Sequence, residues 1–442
     1  MCGIFAIISS NEVKSAACFD GLSDMQHRGR ESFGVSWIHN DKIESKKSKG
    51  EVINLLPDTV SKSWLGHVRY STSGDTSSTK TQPILEKSAK WALAHNGNIP
   101  KIQAVPNLTF DPTHSDTQKV ASMIEHFSET MPLEVVLETI VLTIDLAFSV
   151  VLQTKDGMYL LRDRFGLRPL GYIRSFGTIT VASENWAMPG DFIDVKPGEI
   201  VFVGNNLEVR TIFQRKAERV AHCVFEYIYF LRGRSSVDDV NANNFRMTLG
   251  KVLGDQISSE TLVKGWQTSG AIICGVPTSG VYFGKAIGET LKLRYSQFLT
   301  KRADYPYRTF ILKNPSDRLE ACKKKFQVES ELIKDKVIIL VDDSVVRGTT
   351  LKFLVKFLKL YEPKEVHFIS GSPPVKHACY YGMDFPDIED LVANKMNKED
   401  LVQDLEISSL TYLDVSQLKN IYNRVGHKGV MCDACFSGNY LK

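Results

Sequence analysis

Short apolar runs dominate the first two hundred residues. In some of them apolar and polar residues alternate, and in others the apolar residues are consecutive. Glycine, serine and asparagine separate these runs, a pattern typical of strands joined by turns. Two longer stretches, 16–27 and 116–126, have the spacing of helices. Strands with few crossover helices favour stacked, largely antiparallel sheets. The predicted strands are Gly3–Ile8, Gly34–Ile38, Trp64–Tyr70, Trp91–Ala94, Phe148–Gln153, Met158–Arg162 and Thr178–Ala182.

From about Cys223 the pattern changes to alternating strands and helices. Ala271–Val276 and Val337–Val341 are continuous apolar runs, each followed by a polar turn and a helical stretch. Such runs are typical of a parallel sheet that is covered on both faces. The pattern therefore predicts an α+β domain over residues 2–222 and an α/β domain over residues 223–442. The Lys- and Ser-rich segment 42–50 is interpreted as an exposed loop.

Composition excludes several classes of protein. Lys and Arg number 54 against 51 acidic residues, so no basic excess indicates a nucleic-acid partner. The longest apolar stretch, 140–152, is interrupted by polar residues and too short for a bilayer, and no secretory signal is visible. Eight cysteines in 442 residues are too sparse for a disulfide scaffold. These features predict a cytoplasmic protein with reduced thiols.

Cys2 is the first candidate for chemistry. Removal of the initiator Met would leave a cysteine with a free α-amine, whose ordinary pKa of about 8 suits a general base at neutral pH. A thiol beside such a base is an activated nucleophile. Taken alone, however, a cysteine at this position is better explained by a buried structural role.

Polar clusters downstream add the groups that an amino-acid substrate needs. Arg69 offers a cation for a carboxylate, Asp116 offers an anion for an ammonium group, and Asn96 with Gly97 offers donors for an oxyanion. Each cluster follows a predicted strand, where site residues tend to lie on loops. The sequence thus predicts a site for an amino acid near Cys2.

The ordered motifs Cys-Gly-Ile-Phe, His-Arg-Gly, Gly-His-Val-Arg-Tyr-Ser-Thr, His-Asn-Gly-Asn and Ser-Asp-Thr resemble those of class II, N-terminal-nucleophile glutamine amidotransferases. The resemblance implies a four-layer αββα sandwich in which Cys2 attacks the carboxamide of glutamine. It also implies that Arg69 and Asp116 bind the α-carboxylate and α-ammonium groups, and that Asn96 and Gly97 stabilise the oxyanion. Arg28 and His67, taken singly, are better explained as structural residues.

A second motif runs from Val337 to Thr350. A buried strand ends in two carboxylates, and a turn rich in hydroxyls and glycine then opens a helix, which suits one phosphate and a hard cation. The alternative is a simple Asp-Asp turn after a core strand. The motif resembles the phosphoribosyl pyrophosphate (PRPP) signature of type I phosphoribosyltransferases. That resemblance implies PRPP contacts at Asp342, Asp343, Ser344, Arg347, Gly348, Thr349, Thr350, Lys301, Arg308 and Lys325, and Mg²⁺ contacts at Ser279, Asp342 and Asp343.

The cysteines after residue 222 form another candidate site. By itself, Cys432-Asp-Ala-Cys435 indicates only a metal-capable pair. Cys223 and Cys379 match ligand positions of the iron–sulfur branch of one family, that of the glutamine PRPP amidotransferases. The resemblance implies that these four cysteines hold one [4Fe–4S] cluster.

The two halves together resemble that same amidotransferase family over nearly the whole chain. The resemblance implies transfer of ammonia from glutamine to PRPP, giving phosphoribosylamine, glutamate and pyrophosphate in the first committed step of purine synthesis. It further implies feedback inhibition by purine nucleotides and a homotetramer or homodimer. Two alternatives remain open at this point: a phosphoribosyltransferase acting on a nucleobase with a silent front domain, and a non-catalytic nucleotide sensor.

Overall fold

The computed structural model describes residues 1–70, 80–99, 108–144, 147–186, 188, 190–216, 220–302, 320, 322–383, 388–427 and 429–441. Among these residues, no helix combines the length and apolar character needed to span a membrane.

Two antiparallel sheets form the first half of the chain. One has the strand order β11-β9-β10-β1-β4-β2-β3 and the other has the order β13-β12-β8-β7-β6-β5. In chain order the strands are β1 (Gly3–Lys14), β2 (Ser32–His39), β3 (Lys42–Lys49), β4 (Val60–Arg69), β5 (Ile84–Leu85), β6 (Trp91–Asn98), β7 (Ala147–Thr154), β8 (Gly157–Arg162), β9 (Gly171–Ser175), β10 (Thr178–Ala182), β11 (Phe192–Asp194), β12 (Glu199–Gly204) and β13 (Val209–Gln214).

Helices cover the outer face of each sheet. Helix α1 (Ser15–Asp24) packs on the first sheet, and α2 (Asp116–Phe127) and α3 (Leu133–Thr143) pack on the second. A third apolar cluster, with Ile4 and Leu65 from one sheet and Val151 from the other, lies between the sheets. The order helix, sheet, sheet, helix is the predicted αββα sandwich. It follows from the sequence because the strands are apolar on both faces.

The interpretation of segment 42–50 as a loop is wrong. Residues Lys42–Lys49 form β3, which pairs with β2 in unbroken antiparallel register from Ser32↔Lys49 to His39↔Lys42. The strand lies at the edge of its sheet, where one row of backbone groups faces outward. Lysines on an edge strand discourage pairing with another chain. The Lys-rich composition of this segment is therefore that of an edge strand and not of a loop.

A five-stranded parallel sheet with the order β18-β17-β21-β22-β23 is the centre of the second half. Its formation confirms the predicted α/β architecture. The strands after β13 are β14 (Ala221–Cys223), β15 (Ser236–Val237), β16 (Val240–Asn241), β17 (Ile272–Gly275), β18 (Arg294–Tyr295), β19 (Leu299–Lys301), β20 (Phe326–Val328), β21 (Val337–Asp342), β22 (Glu365–Ser370), β23 (Ser409–Tyr412) and β24 (Val430–Cys432). The helices after α3 are α4 (Ala242–Ile257), α5 (Thr261–Ser269), α6 (Gly280–Leu291), α7 (Thr349–Lys359), α8 (Val392–Lys395), α9 (Lys398–Leu405), α10 (Leu418–Arg424) and α11 (Ala434–Ser437).

The two halves meet at a short junction. Strand β14 pairs in parallel with β24 near the end of the chain, and a π-helix, Glu226–Phe230, follows β14. Buried residues of this helix, of α4 and of the C-terminal segment belong to one apolar cluster together with Met1 and Phe165. The junction is therefore closed by the last part of the chain.

Candidate active sites

The Cys2 site lies where β1, β4 and β6 bring their ends together. The Cys2 amide donates to Asn96 Oδ1 at 3.1 Å, and its Sγ lies 3.8 Å from the Tyr70 carbonyl oxygen. Asn96 is fully buried, and its Nδ2 has no hydrogen-bond partner within the described structure. A buried amide donor without a partner is costly unless a ligand supplies the acceptor. Asn96 is thus placed to donate to an oxygen bound beside Cys2.

Burial controls the chemistry of the Cys2 thiol. It raises the pKa of Cys2, while the positive chain terminus and Arg69 act against the rise and Asp116 adds to it. These electrostatic effects place Arg69 and Asp116 near the thiol, as the sequence predicts. Because the raised pKa favours the neutral thiol, nucleophilic attack requires a nearby base to take its proton.

Contacts with nearby backbone atoms fix the positions of Gly97, which follows Asn96, and of Asp116. A Cβ on Gly97 would lie 2.2 Å from the Ala147 carbonyl oxygen, so only glycine fits there. Asp116 begins α2, and its Oδ2 accepts the Ile99 amide at 3.1 Å. Ser115 caps the same helix through a capping box with Gln118, the residue that follows the Ser-Asp-Thr motif.

His67 and Arg28 differ in their relation to the site. His67 lies inside the sheets, where its Nε2 donates to the His95 carbonyl oxygen at 3.1 Å, and burial lowers its pKa to about 3. Arg28 is also fully buried, but its Nε donates to the Cys2 carbonyl oxygen at 2.8 Å. The sequence missed this contact because the partner is a backbone atom.

The second candidate site lies at the carboxyl ends of β17 and β21. Asp343 accepts hydrogen bonds from Ser279 and Ser344, and its own amide donates to Asp342 Oδ1 at 2.8 Å. A Cβ on Gly280 would lie 2.2 Å from the Val341 carbonyl oxygen. Only glycine therefore allows the start of α6 to pack this closely against β21. The two predicted motifs, separated by more than sixty residues, therefore meet.

Burial leaves the two carboxylates poorly solvated. It raises the pKa of Asp342 well above its usual value, the charge of Asp343 raises it further, and Lys325 acts in the opposite direction. Burial also raises the pKa of Asp343, against the hydrogen bonds from Ser279 and Ser344 and the charge of Arg246. Because burial disfavours the charged forms of both carboxyl groups, the site suits a ligand that stabilises negative charge, such as a cation or a hydroxyl donor.

The other residues predicted for the PRPP site differ in their placement. Gly348 has a φ of 72° and precedes the first turn of α7, where Thr349 and Thr350 lie. The Arg347 side chain is half exposed and lies 3.7 Å from Asp390. Lys301 is exposed on β19, and Arg308 lies outside the described residues.

Four cysteines converge at the junction. Cys223 and Cys432 are partners in the β14–β24 pair, Cys435 lies on α11, and Cys379 Sγ accepts the Tyr381 amide at 3.3 Å. Burial raises the pKa of Cys435, and the other three cysteines raise it further, as expected for thiols that share one space. All four are free thiols. Across the described residues, no three His, Cys, Asp or Glu side chains are arranged to bind a single metal ion.

The cysteine segment also contacts the Cys2 site. Asn98 Nδ2 donates to the Tyr380 carbonyl oxygen at 3.4 Å, and Gly382, with a φ of 106°, packs on the backbone of Gly97 and Asn98. A Cβ on Gly382 would lie 3.1 Å from the Gly97 carbonyl carbon. The C-terminal half therefore supports the backbone that carries the predicted oxyanion donors.

We expect Gly382→Ala to lower glutamine hydrolysis by about tenfold or more, because the added methyl group displaces Gly97 and small displacements are costly at a reacting centre. Glutaminase assays measure the effect. Gly426→Ala is the matched control, since Gly426 also has a positive φ of 73° but has no atom within 4 Å of the added Cβ. Equal losses in both variants would contradict a specific effect on Gly97.

Two family models match this chain. One described as a glutamine amidotransferase domain matches residues 58–244, and one described as a phosphoribosyl transferase domain matches residues 255–371. An amidophosphoribosyltransferase of Archaeoglobus fulgidus is 31% identical to the chain, covering 100% of this chain and 98% of its relative. The chain belongs to the amidophosphoribosyltransferase family.

Other members of the family agree over the whole length. The amidophosphoribosyltransferase of Bacillus subtilis is 30% identical over 99% of this chain and 94% of its own length. The solved B. subtilis glutamine PRPP amidotransferase, complexed with ADP and GMP, has a TM-score of 0.82 at 28% identity and covers 99% of this chain and 97% of its own. These similarities confirm the family and the fold class predicted from the sequence.

Proposed function

We propose that this chain transfers ammonia from glutamine to PRPP, giving 5-phosphoribosylamine, glutamate and pyrophosphate in the first committed step of purine (IMP) biosynthesis. One observation carries the proposal: a single chain holds a thiol beside the unpartnered Asn96 amide and, in its other half, the Ser279–Asp343 pair at parallel strand ends. Membership of the family supports both half-reactions.

In the glutaminase half-reaction, Cys2 Sγ attacks the carboxamide carbon of glutamine. The α-amine that Cys2 gains when Met1 is removed takes the thiol proton and passes it to the departing ammonia. Asn96 Nδ2 and the Gly97 amide donate to the oxyanion, while Arg69 and Asp116 bind the α-carboxylate and α-ammonium groups. Water then hydrolyses the thioester to glutamate and regenerates Cys2.

In the synthetic half-reaction, ammonia attacks C1 of PRPP, pyrophosphate leaves, and one proton is released from the new amine. The turn from Ser344 to Thr350 supplies backbone N–H groups for the 5-phosphate at the start of α7. Asp342 and Asp343 accept hydrogen bonds from the ribose hydroxyls. The predicted cationic contacts to the phosphates are Arg347, Lys301, Lys325 and Arg308.

Mg²⁺ is a suitable partner for this site. The carboxylates of Asp342 and Asp343 and the hydroxyl of Ser279 are hard oxygen donors, and a bound cation would offset the burial that raises the pKa of both acids and so favour their ionised forms. When bound, Mg²⁺ supplies charge neutralisation for the pyrophosphate leaving group.

The four cysteines fit an iron–sulfur cluster in their donor chemistry. A [4Fe–4S] cluster takes one thiolate for each iron, so its ligands need not converge on a single ion. Arg168 opposes the rise in the pKa of Cys223 that burial causes, and thus favours a thiolate. We assign Cys223, Cys379, Cys432 and Cys435 as the ligands. The cluster would fix the C-terminal segment against the junction.

We expect Cys435→Ser to lose most of the bound iron and the visible absorbance of the cluster after anaerobic purification, because hydroxyls are poor ligands for such clusters. Loss of this covalent tie should also lower the melting temperature. Iron analysis and thermal unfolding measure both effects. Cys18→Ser is the control, as Cys18 is a free, buried thiol on α1. An unchanged iron content in Cys435→Ser would contradict the assignment.

Regulation, domain limits and location remain predictions. The ADP and GMP bound by the B. subtilis relative support purine nucleotides as inhibitors of this chain. The last strand of the sandwich, β13, ends at Gln214, which supports a change of domain after it, and the proposed boundary between 2–222 and 223–442 falls within β14 (Ala221–Cys223). A homodimer or homotetramer and a cytoplasmic location follow from the sequence analysis alone.

The proposed function is tested by a phosphoribosylamine assay with purified chain, PRPP and either glutamine or ammonium. We expect product from both nitrogen sources, with one glutamate and one pyrophosphate formed per phosphoribosylamine in the glutamine reaction. Parallel reactions replace the nitrogen source with adenine, guanine or hypoxanthine. Nucleotide formation from a free base would support the nucleobase alternative. Absence of product in every reaction, with retained nucleotide binding, would support the sensor.

A further inference from the structure

A buried network of charges connects Cys2 to the junction. Arg28, with no exposed surface, donates from Nε to the Cys2 carbonyl oxygen at 2.8 Å. Its Nη2 lies 2.9 Å and 3.2 Å from the two carboxylate oxygens of Glu226, and its Nη1 bonds to Glu184. Arg168 Nη1 lies 3.0 Å from Glu226. His27 Nε2 lies 2.8 Å from Glu184 Oε1, so two arginines, two glutamates and one histidine form a network that is largely shielded from water.

The two carboxylates have different supports. Glu184 lies just after β10 and also accepts the Arg232 amide at 2.8 Å and the Ser235 hydroxyl at 2.7 Å. Glu226 begins the π-helix of the junction, and its described side-chain partners are Arg28 and Arg168. The Glu184 carboxylate therefore keeps hydrogen-bond donors even without Arg28, whereas the described hydrogen bonds of the Glu226 carboxylate all come from Arg28 and Arg168.

The contact with Cys2 matters because of the position of that residue in the chain. After removal of Met1, Cys2 is no longer anchored by a peptide bond on its N-terminal side. The orientation of its backbone then depends on its non-covalent contacts and on the bond to Gly3. Asn96 Oδ1 holds the nitrogen end and Arg28 Nε holds the carbonyl end. The carbonyl contact fixes rotation about the Cα–C bond, and hence the direction of the side chain that carries Sγ.

Burial makes the orientation of Arg28 depend on its anions. Burial by itself lowers the pKa of Arg28, but Glu226 and Glu184 outweigh this effect and raise it, so the guanidinium stays charged. Arg28 is held at three nitrogens, by the Cys2 carbonyl at Nε, by Glu184 at Nη1 and by both oxygens of Glu226 at Nη2, and together these contacts fix the plane of the guanidinium. With Glu226 neutralised, Arg28 retains Glu184 but loses the anion that orients its other edge.

We propose that Glu226 is a positioning residue for the Cys2 nucleophile and acts through Arg28. The inference rests on the proposed role of Cys2 in glutamine hydrolysis. It assigns to the junction helix a direct influence on the glutaminase site, in addition to joining the two halves.

The test compares Glu226→Gln with the unmodified enzyme. We expect the kcat for glutamine hydrolysis, and the rate of Cys2 labelling by a glutamine-analogue chloroketone at saturation, to fall about 10- to 100-fold, the range for losing a charged hydrogen bond. The KM for glutamine should change less than about twofold, because Arg69 and Asp116 are untouched. Ammonia-dependent synthesis should be retained. Glu226→Asp, which restores the charge, should recover part of the loss.

Asp238→Asn provides the matched control. Asp238 forms another ion pair that crosses the junction, 2.8 Å from the buried Arg162 Nη2; Asp238 itself is partly buried and has no described contact with Arg28 or Cys2. Iron content and melting temperature are measured for every variant, because Glu226 lies three residues after Cys223. Slower labelling in Glu226→Gln but not in Asp238→Asn, at equal iron content, supports the proposal.

Two results would overturn the inference: unchanged labelling in Glu226→Gln, or equal slowing in Glu226→Gln and Asp238→Asn. Failure of the proposed function itself gives a different result, since the unmodified enzyme would then show neither labelling of Cys2 nor glutamine-dependent synthesis.

Discussion

We expect Cys2→Ala to lose glutamine-dependent phosphoribosylamine synthesis by at least about 10³-fold and to keep ammonia-dependent synthesis near its original rate. The thiol is the atom that attacks glutamine, and no other described cysteine lies at the Asn96 amide. The PRPP site, by contrast, contains none of the atoms removed. Product formation with glutamine and with ammonium, measured side by side, gives the two rates.

Cys18→Ala is the control for loss of a buried thiol. Cys18 lies in α1 within the apolar cluster under the first sheet, and burial raises its pKa far above the ordinary value, so it is an unreactive thiol. We expect both rates to be retained in this variant. If Cys2→Ala lost both activities while remaining folded by circular dichroism, the division of work between the two sites would be wrong.

The second large effect is expected for Asp342→Asn, which should lower PRPP-dependent synthesis about 100-fold or more with either nitrogen source. The substitution keeps the shape of the side chain but removes the carboxyl group that would ionise beside Asp343 when a cation is bound, against the burial that raises its pKa. Ribose hydroxyls and Mg²⁺ then lose an anionic partner. Basal glutamine hydrolysis, measured without PRPP, should change little because Cys2 and its neighbours are untouched.

Asp404→Asn is the control for the second experiment. Asp404 belongs to the same half of the chain and pairs with Lys352 on the surface of α7, and surface ion pairs contribute little to stability. Equilibrium binding of PRPP to both variants separates binding from turnover. Unchanged PRPP affinity in Asp342→Asn would remove Asp342 from the site.

Sequence reasoning predicted the fold well where periodicity was strong. The strand Thr178–Ala182 was placed without error, and the helix at 116–126 ends one residue later in the structure. These elements pack one or both faces into a core, so the pattern of apolar residues reflects their geometry. The edge strand β3 was missed because only its pairing with β2, and not burial, makes it a strand.

The candidate sites were predictable to the extent that their residues are clustered along the chain. Asp342, Asp343 and Ser344 are consecutive, and Asn96 and Gly97 are adjacent, so short motifs revealed them. Glu184, Glu226 and Arg168 were assigned no role because each is a single charged residue whose neighbours in the sequence show no partner for it. Their importance follows from burial and from their partners, which are 58 to 198 positions apart in the chain. Such long-range pairing leaves no local signal.

The late closure of the junction has a consequence for the chain during its synthesis. Strand β24 and the turn around Gly382, both in the last part of the sequence, complete the surroundings of β14 and of Gly97. The sandwich emerges from the ribosome first and begins to fold before these segments are available. A polypeptide that does not yet include these segments therefore lacks the contacts that complete β14 and the backbone at Gly97.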